Sequence, residues 1–440
     1  MIERLKALIK YCFIVYCILC FDQLNAQDFL GTKTPYYPQQ KKYNKAPKGY
    51  KPVFINYVGR HGSRFMTSAG SDVLVINVLQ QAEDQHALTK DGAIILSLLM
   101  HLDSIQKDNY GSITLLGKQE QHDIAARMQH NFPEVFQNRK LIIEMTEKQR
   151  TQQSAYAFLS GLKNYDSSQI EATIFHSTTD SILRFYDLSL AYNSYLKSDA
   201  VTKHIDSLQQ DINTKKISED VCINIFTTAF IDQVNAEKIK AASLKNISII
   251  TTVNFAEALY DVYSILFSAK SEMHIDNNDI TNAFKNVFLE DDLLWFDKLN
   301  SAEDFYEKGP AADSLGIQIT IATPLLRDLV ITTDSCIQSK NVDGIFRFTH
   351  AEAISPLATL MGITQASHTS NSVYSFYNKW KAEKIIPLSA NIQWIIYSNN
   401  TDYLIKVLLN EKEVALPVAT LTFPFYKWQD VKSYFDRIVY

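Results

Sequence analysis

The sequence predicts an α/β fold in which helices cover a sheet and a mainly helical insertion divides the chain. Three observations support this prediction. Apolar runs with β character alternate with segments of helical apolar spacing in both the first and last parts of the chain. Residues 180–310 are mostly helical in pattern and contain almost no glycine or proline. The length of 440 residues suits two domains, or one large domain with a substantial insertion.

The N-terminus has the pattern of a secretory signal peptide. Basic residues precede an unbroken apolar run over 11–21, and Ala26 offers a small residue for cleavage. The run is too short for a membrane-spanning helix, although an uncleaved membrane anchor stays an alternative. We therefore expect 1–26 to be removed and 27–50 to form an extended arm. The protein is then expected to be secreted or periplasmic, with no membrane span after cleavage.

The composition is that of a globular protein, with 46% hydrophobic and 21% charged residues. The formal net charge of −5 provides no global basic field, so we expect no nucleic acid partner. Only Cys222 and Cys336 follow the signal segment, and one possible disulfide cannot be a framework for so long a chain. The fold must therefore depend on its hydrophobic core. Whether the two cysteines pair, and the oligomeric state, stay open.

The order of elements begins with a buried strand over Pro52–Val58. Apolar spacing then predicts helices over Ser71–Leu79, Lys90–Lys107, Gly117–Phe132 and Arg150–Leu162, with short strands over Lys140–Met145 and Ala172–Phe175. After the helical segment, β character returns at Gly344–Thr349, Ile392–Tyr397, Tyr403–Leu409 and Val414–Pro417. Strands alternating with helices on both sides of the insertion favour one layered core.

The most informative motif is Arg60-His61-Gly62-Ser63-Arg64, which directly follows the first strand. A glycine here lets the backbone turn tightly. Two arginines, charged at any working pH, can neutralise and orient a phosphoryl group with their planar forks of donors. The imidazole between them is then suited to act as a nucleophile.

Two further strand ends carry side chains suited to the same chemistry. Arg150 lies where a predicted strand passes into a helix, and His350 follows the strand at 344–349. Glu352 is two residues further on, and Ser355-Pro356 is typical of a helix cap and first helical position. Taken singly, such residues are more often a surface ion pair or a structural histidine. Together they would converge at the carboxyl edge of an open sheet, where α/β proteins bind ligands.

Motifs for other chemistries are missing from the sequence. It contains no P-loop, no H-E-x-x-H and no G-x-G-x-x-G after a strand. The remaining histidines have no paired spacing that indicates a metal site. We therefore expect neither a cofactor nor a metal.

The motif at 60–64, paired with Thr349-His350-Ala351-Glu352, resembles the histidine phosphatase superfamily in its histidine acid phosphatase branch. Many members of that branch end the second motif with His-Asp, whereas His-Ala-Glu is characteristic of the multiple inositol polyphosphate phosphatases, which act as phytases. The likeness runs over nearly the whole mature chain. Other stretches that resemble this subgroup are Thr32–Tyr36, Leu116–Glu120, Leu183–Asp187, Ala390–Asn391 and Leu408–Glu411.

The resemblance implies a three-layer α/β/α core with a mixed central sheet over 51–179 and 311–440. It also implies an inserted, mainly α-helical cap domain over 180–310. By the same resemblance, His61 is the nucleophile that becomes phosphohistidine and Glu352 is the proton donor. A carboxyl near a bound phosphate is favoured in its protonated form, which agrees with that role.

The resemblance also assigns the residues that hold the substrate. The reacting phosphate is held by Arg60, Arg64, Arg150 and His350. Lys33, Thr67 and Arg184 are expected to meet the substrate, Lys33 and Arg184 at its other phosphates. One departure from the family pattern R-H-G-x-R-x-P-T is the lack of its proline, since the chain reads Phe65-Met66-Thr67. The turn after Arg64 is therefore expected to be less rigid.

The leading functional expectation is a phosphomonoesterase for a small polyphosphorylated partner, namely inositol hexakisphosphate and lower inositol phosphates. A general histidine acid phosphatase for sugar phosphates or other monoesters is the main alternative. A phosphate-ligand binding protein without catalysis is the other.

Overall fold

The computed structural model describes residues 29–242 and 247–440, and a mixed β-sheet lies at its centre. The predicted signal peptide falls outside these residues. The strands are β1 (Lys51–Arg60), β2 (Lys140–Thr146), β3 (Ile170–Phe175), β4 (Lys240–Ala242), β5 (Ile247–Ile249), β6 (Val342–Thr349), β7 (Asn391–Ser398), β8 (Tyr403–Leu409), β9 (Lys412–Glu413) and β10 (Tyr426–Lys427). Strands β4 and β5 form a separate hairpin.

The strand order places three predicted functional strand ends side by side. The central sheet runs β10-β8-β7-β1-β6-β2-β3, with β9 paired to β8. Strands β1, β6, β2 and β3 are parallel neighbours, and β7 is antiparallel to β1. In the register, Arg60 lies opposite Thr349, and Met145 lies opposite Phe348. The carboxyl ends of β1, β6 and β2 therefore meet at one edge, as the sequence predicts.

The helices follow the predicted apolar patterns with small shifts at their ends. They are α1 (Ser71–Asp84), α2 (Lys90–Gln106), α3 (Leu115–Asn131), α4 (Gln149–Ser160), α5 (Phe185–Leu188), α6 (Leu190–Leu196), α7 (Asp199–Gln209), α8 (Ile212–Ile225), α9 (Thr228–Asn235), α10 (Thr252–Ala269), α11 (Asn277–Phe284), α12 (Glu290–Lys308), α13 (Ile317–Thr320), α14 (Thr323–Ser339), α15 (Ala351–Leu360), α16 (Ala382–Ile385) and α17 (Trp428–Val439).

Helices cover both faces of the sheet, which confirms the layered α/β prediction. Alternate residues of β1 point to opposite faces, because side chains alternate along a strand. Ile55 and Tyr57 pack with apolar residues of α3 and α4, whereas Phe54 and Val58 pack with α14, α15 and α17. The mostly apolar sequence of β1 thus reflects a strand that is buried on both sides.

A second apolar cluster groups the helices differently from the predicted 180–310 segment. It joins α1 and α2 to α8–α11 and the first half of α12. The short helices α5–α7 instead pack in the same cluster as the sheet. Apolar stripes far apart in sequence thus complete one helical core, a pairing that periodicity within one segment cannot reveal. The predicted domain boundaries stay a prediction.

The arm, residues 29–50, lies against the core and has little regular structure beyond a 3₁₀ turn at Gly31–Lys33. The side chains of Phe29, Leu30 and Tyr36 are buried. The backbone N–H of Leu388 donates to the Thr34 carbonyl oxygen at 3.0 Å. The arm therefore contributes to the core and to the edge of the sheet that carries the motif.

The strand predicted over Val414–Pro417 is wrong. Val414 still donates its N–H to the Val407 carbonyl oxygen, but Leu416 donates to the hydroxyl of Tyr426 instead of to a strand. The strand β9 ends one residue earlier, at Glu413.

The two cysteines that follow the signal segment are buried, free thiols. Cys222 and Cys336 belong to different apolar clusters, so they contribute to stability by packing and not by a disulfide bond. In the described part of the chain, no helix combines the length and the apolar character that crossing a membrane requires.

Candidate active site

The proton of His61 lies on the ring nitrogen that faces its own loop. Nδ1 is 3.1 Å from the carbonyl oxygen of Gly62, and a carbonyl can only accept, so Nδ1 donates. Nε2 therefore keeps its lone pair. Burial, then the charges of Arg60, Arg150 and Arg64, hold the pKa of His61 well below 6.5. The imidazole is thus neutral at mildly acidic pH, as the role of a nucleophile requires.

Gly62 serves close packing and not a left-handed turn. Gly62 does not have a positive φ, so a tight left-handed turn does not explain why glycine occupies this position. A Cβ at Gly62 would lie 2.6 Å from the carbonyl oxygen of Gly117, and one at Gly117 would collide with the Ser63 carbonyl oxygen. The motif loop and the start of α3 therefore pack backbone against backbone, which only two glycines allow.

The backbone of the motif loop is fixed by hydrogen bonds from several elements. The N–H of Gly62 donates to Ser154 Oγ on α4 at 3.0 Å, and the N–H of Ser63 donates to Glu120 Oε2 at 2.9 Å. The N–H of Ser389 donates to the His61 carbonyl oxygen at 3.0 Å. Because the N–H groups of Gly62 and Ser63 are engaged, an anion bound here would rely on side-chain donors.

Several arginine side chains have buried N–H donors that form no hydrogen bond in the described part of the structure. Buried guanidinium nitrogens without a hydrogen-bond partner among the described residues include Nε of Arg60, Arg64 and Arg150, and Nη1 of Arg184. Arg60 is oriented by Nη1, which donates to the carbonyl oxygens of Thr32 and Ile386 at 2.7 and 2.5 Å. Burial lowers the pKa of Arg60 to about 10 and that of Arg64 to about 9. Both side chains therefore stay charged at neutral pH, and unpaired buried donors of this kind favour an anion.

His350 is oriented by a directed chain of hydrogen bonds. Arg150 Nη2 can only donate, so His350 Nδ1 accepts at 3.2 Å and the proton lies on Nε2. That proton is donated to Thr146 Oγ1 at 3.2 Å. The Thr146 hydroxyl then donates to Thr151 Oγ1 at 2.8 Å. The ring of His350 is held 5.5 Å from that of His61, centroid to centroid.

Glu352 occupies the first turn of α15, directly after His350. Burial would raise the pKa of Glu352, but Lys308, His350 and then Arg60 outweigh it and hold the pKa at about 2. The carboxyl is thus ionised in the free protein. Negative charge on a bound anion would offset the charge of Arg60 and so favour protonation, as the acid role requires.

The helix that carries Glu352 begins earlier than the sequence suggests. Ser355-Pro356 was expected to be its cap and first position, but the helix begins at Ala351 and Pro356 lies inside it. His350 is the N-cap residue, without a side-chain capping bond. The missing N–H of Pro356 leaves the carbonyl oxygen of Glu352 without its helical donor.

The family of the chain follows from its sequence profile. The family model described as histidine phosphatase superfamily (branch 2) matches residues 53–410. The chain belongs to this family. Its fold and enzyme class are those of a histidine acid phosphatase. Comparison with curated protein sequences gives no significant match.

Solved structures share the fold of this histidine acid phosphatase. The Bifidobacterium longum multiple inositol polyphosphate phosphatase in complex with inositol hexasulfate has a TM-score of 0.81 and 22% identity, over 92% of this chain and 97% of that one. The phytase from D. castellii has a TM-score of 0.68 and 14% identity, over 95% and 86%. Hafnia alvei phytase in complex with myo-inositol hexakis sulphate has a TM-score of 0.54 and 14% identity, over 90% and 98%.

The three residues predicted to meet the rest of the substrate, Lys33, Thr67 and Arg184, differ in their surroundings. Lys33 forms an ion pair with Asp261 on α10, and Arg184 forms one with Asp187. Arg184 still acts on the site, because its charge lowers the pKa of His350 after burial and Arg150. Thr67 is exposed.

Sequence reasoning missed two charged residues of the histidine acid phosphatase site. Lys308, at the end of α12, is buried, donates to Asp304 Oδ1 at 2.8 Å and is the main attraction on Glu352. Glu120 on α3 lies in the stretch Leu116–Glu120 that resembles the subgroup, but nothing in the sequence indicated a role for this residue. Both lie on amphipathic helices, where a charged residue is usually at the surface. Among the described residues, no group of three or more histidine, cysteine or acidic side chains is arranged to hold a metal ion.

Proposed function

We propose that this histidine acid phosphatase removes phosphate from inositol hexakisphosphate and lower inositol polyphosphates through a phosphohistidine. The observation that carries the proposal is the set of unpartnered guanidinium nitrogens of Arg60, Arg64 and Arg150, whose charges act on His61, together with the free lone pair of His61 Nε2. A phosphate group offers the charge and the acceptor oxygens that these donors lack. The His-Ala-Glu motif and the inositol hexasulfate complex of the B. longum relative support the substrate class.

The chemistry proceeds in two displacements. His61 Nε2 attacks phosphorus, the bond from phosphorus to the substrate oxygen breaks, and Glu352 gives its proton to the leaving alkoxide. Water then attacks phosphorus while the Glu352 carboxylate takes a proton from that water, and the phosphorus–nitrogen bond breaks with its electron pair returning to His61 Nε2. Inorganic phosphate leaves, and His61 and protonated Glu352 are regenerated. Arg60, Arg64 and Arg150 offset the charge on the nonbridging oxygens throughout.

A general phosphatase for small monoesters is the second candidate. The ion pairs of Lys33 with Asp261 and of Arg184 with Asp187 reduce the positive charge available to outer phosphates, which favours this candidate. It uses the same reaction at His61 and differs only in the recognition of the rest of the substrate.

The deciding experiment measures phosphate release from phytate, p-nitrophenyl phosphate and glucose 1-phosphate, with a chelator present and His61→Ala as control. Release that is strongest from phytate and lost in His61→Ala is the expected result. Release from the small esters alone would favour the second candidate. Full activity in His61→Ala would overturn the phosphohistidine reaction, and tight phosphate binding without release would favour a binding protein.

We also propose that the protein is exported and works in the periplasm or outside the cell. The basis is the sequence of residues 1–26. N-terminal sequencing of the exported protein should begin at Gln27, and retention of Met1 in a membrane fraction would contradict the proposal.

A further inference from the structure

Glu120 is a buried carboxylate directly beneath the motif loop. It lies on α3 and accepts four hydrogen bonds, which use the lone-pair sites of both oxygens. Ser63 donates its hydroxyl to Oε1 at 2.6 Å and its N–H to Oε2 at 2.9 Å. The N–H of Tyr36 donates to Oε1 at 2.9 Å, and the Ser389 hydroxyl donates to Oε2 at 2.7 Å. One side chain therefore joins the arm, the motif loop and the segment before β7.

These bonds hold the chain just after His61 and, through Ser389, the backbone of His61 itself. Ser63 is two residues after His61, and its N–H and hydroxyl both end on Glu120. Ser389 reaches His61 directly, because its N–H donates to the His61 carbonyl oxygen. The direction of the Ser389 hydroxyl is fixed as well, since it accepts from Gln121 Nε2 at 3.0 Å and must donate to Glu120.

The neighbour of Glu120 on α3 extends this arrangement. Gln121 Nε2 also donates to the carbonyl oxygen of Arg60 at 3.0 Å. Two consecutive residues of α3 thus contact the chain before and after His61. The close approach of Gly62 to Gly117 lets α3 come near enough for both contacts.

We propose that Glu120 is a positioning residue, which acts through Ser63 and Ser389 to fix His61 for attack on phosphorus. The inference rests on the proposed reaction at His61 but not on the identity of the phosphomonoester. The four hydrogen bonds of Glu120 go to Tyr36, Ser63 and Ser389 and not to the imidazole of His61, so it acts on that ring through other residues. A carboxylate is needed because four donors converge there, and an amide offers only one accepting oxygen.

The test compares Glu120→Gln with a matched control, Glu411→Gln. Glu411 is also a buried carboxylate and also binds Tyr36, whose hydroxyl donates to it at 3.0 Å. Its other partner is Arg127, which donates at 2.7 Å and lies outside the motif loop. The two substitutions are therefore alike in chemistry and burial, but only the first removes bonds to the loop of His61.

The expected result for Glu120→Gln is a fall in kcat of about 10- to 100-fold, the size that a small misplacement of a reacting group produces. KM should stay within about threefold, because the arginines are untouched. The rate of phosphohistidine formation in a rapid alkaline quench should fall with kcat. Glu411→Gln should keep kcat within about twofold of the wild-type value. This should hold even if its melting temperature falls as much as that of Glu120→Gln.

Other results overturn the inference in distinct ways. Wild-type activity in Glu120→Gln, or an equal loss of kcat in Glu411→Gln, would show that the buried carboxylate serves stability only. If Glu120→Gln does not fold, Ser389→Ala removes one of the four donors, and an unchanged kcat in that variant overturns the inference. If the wild-type protein releases no phosphate, the proposed function fails together with this inference. If the wild-type protein is active and Glu120→Gln is equally active, only the positioning role of Glu120 fails.

Discussion

Replacing Glu352 with glutamine should lower kcat/KM by an amount that depends on the leaving group of the substrate. The alkoxide of an inositol ring is a poor leaving group and needs a proton, whereas p-nitrophenolate departs without one. General acid catalysis contributes about 10²- to 10⁴-fold, so kcat/KM for phytate should fall by about that factor. For p-nitrophenyl phosphate the fall should stay below about tenfold, since only the binding environment changes.

The magnitude follows from the charges around the carboxyl. Burial raises the pKa of Glu352, but Lys308, His350 and Arg60 hold it at about 2. Near pH 5, a carboxyl with this pKa is protonated in about one molecule in a thousand. To bring the pKa to the working pH, a bound phosphate must raise it by roughly 3 units, about 4 kcal/mol. A phosphate bound to Arg60 would oppose one of these charges directly.

The assay compares kcat/KM for the two substrates, since this ratio reports the first displacement and not the hydrolysis of phosphohistidine. Glu307→Gln is the matched control, as it removes another carboxyl near Lys308 that raises the pKa of that lysine. It should affect both substrates alike. Equal losses on phytate and p-nitrophenyl phosphate in Glu352→Gln would refute the acid role.

Three further outcomes follow from the structure. Because burial and the neighbouring arginines lower the pKa of His61 well below 6.5, kcat/KM should not decline as the pH falls through 6.5; a decline centred there would contradict this environment. Asp261→Asn frees Lys33 and should lower KM for phytate by about two- to fivefold, the scale of a partly exposed ion pair, while KM for p-nitrophenyl phosphate stays constant in steady-state assays. Arg347→Met leaves the acidic partners of a fully buried guanidinium unpaired and should lower the free energy of unfolding by about 3–5 kcal/mol in chemical denaturation; a loss below about 1 kcal/mol would show that they find other partners.

The sequence was sufficient for the parts of the site that lie at strand ends. An apolar run followed by a charged motif locates His61 at the end of β1, and the same rule brings His350 and Arg150 to one edge of the sheet. Parallel neighbours make that convergence a matter of topology. The helices α1–α4 were equally visible, because each carries a regular apolar stripe.

Contacts between distant segments could not be predicted in this way. Glu120 is 57 positions from Ser63 and reads as one more charge on an amphipathic helix. The pairing of Lys33 with Asp261 joins residues 228 positions apart. The helix start at Ala351 was missed because Pro356 indicates a first helical position, whereas burial of α15 against the sheet compensates for the lost backbone bond.

The contact between the arm and the guanidinium of Arg60 matters for how the protein is produced. The carbonyl oxygen of Thr32 orients Arg60, and the N–H of Tyr36 completes the ligands of Glu120. A recombinant chain that starts beyond these residues would therefore lack a hydrogen bond that orients Arg60, even though no residue of the motif had been changed. A purification tag is therefore better attached at the C-terminus, where Tyr440 has 80% of its surface exposed.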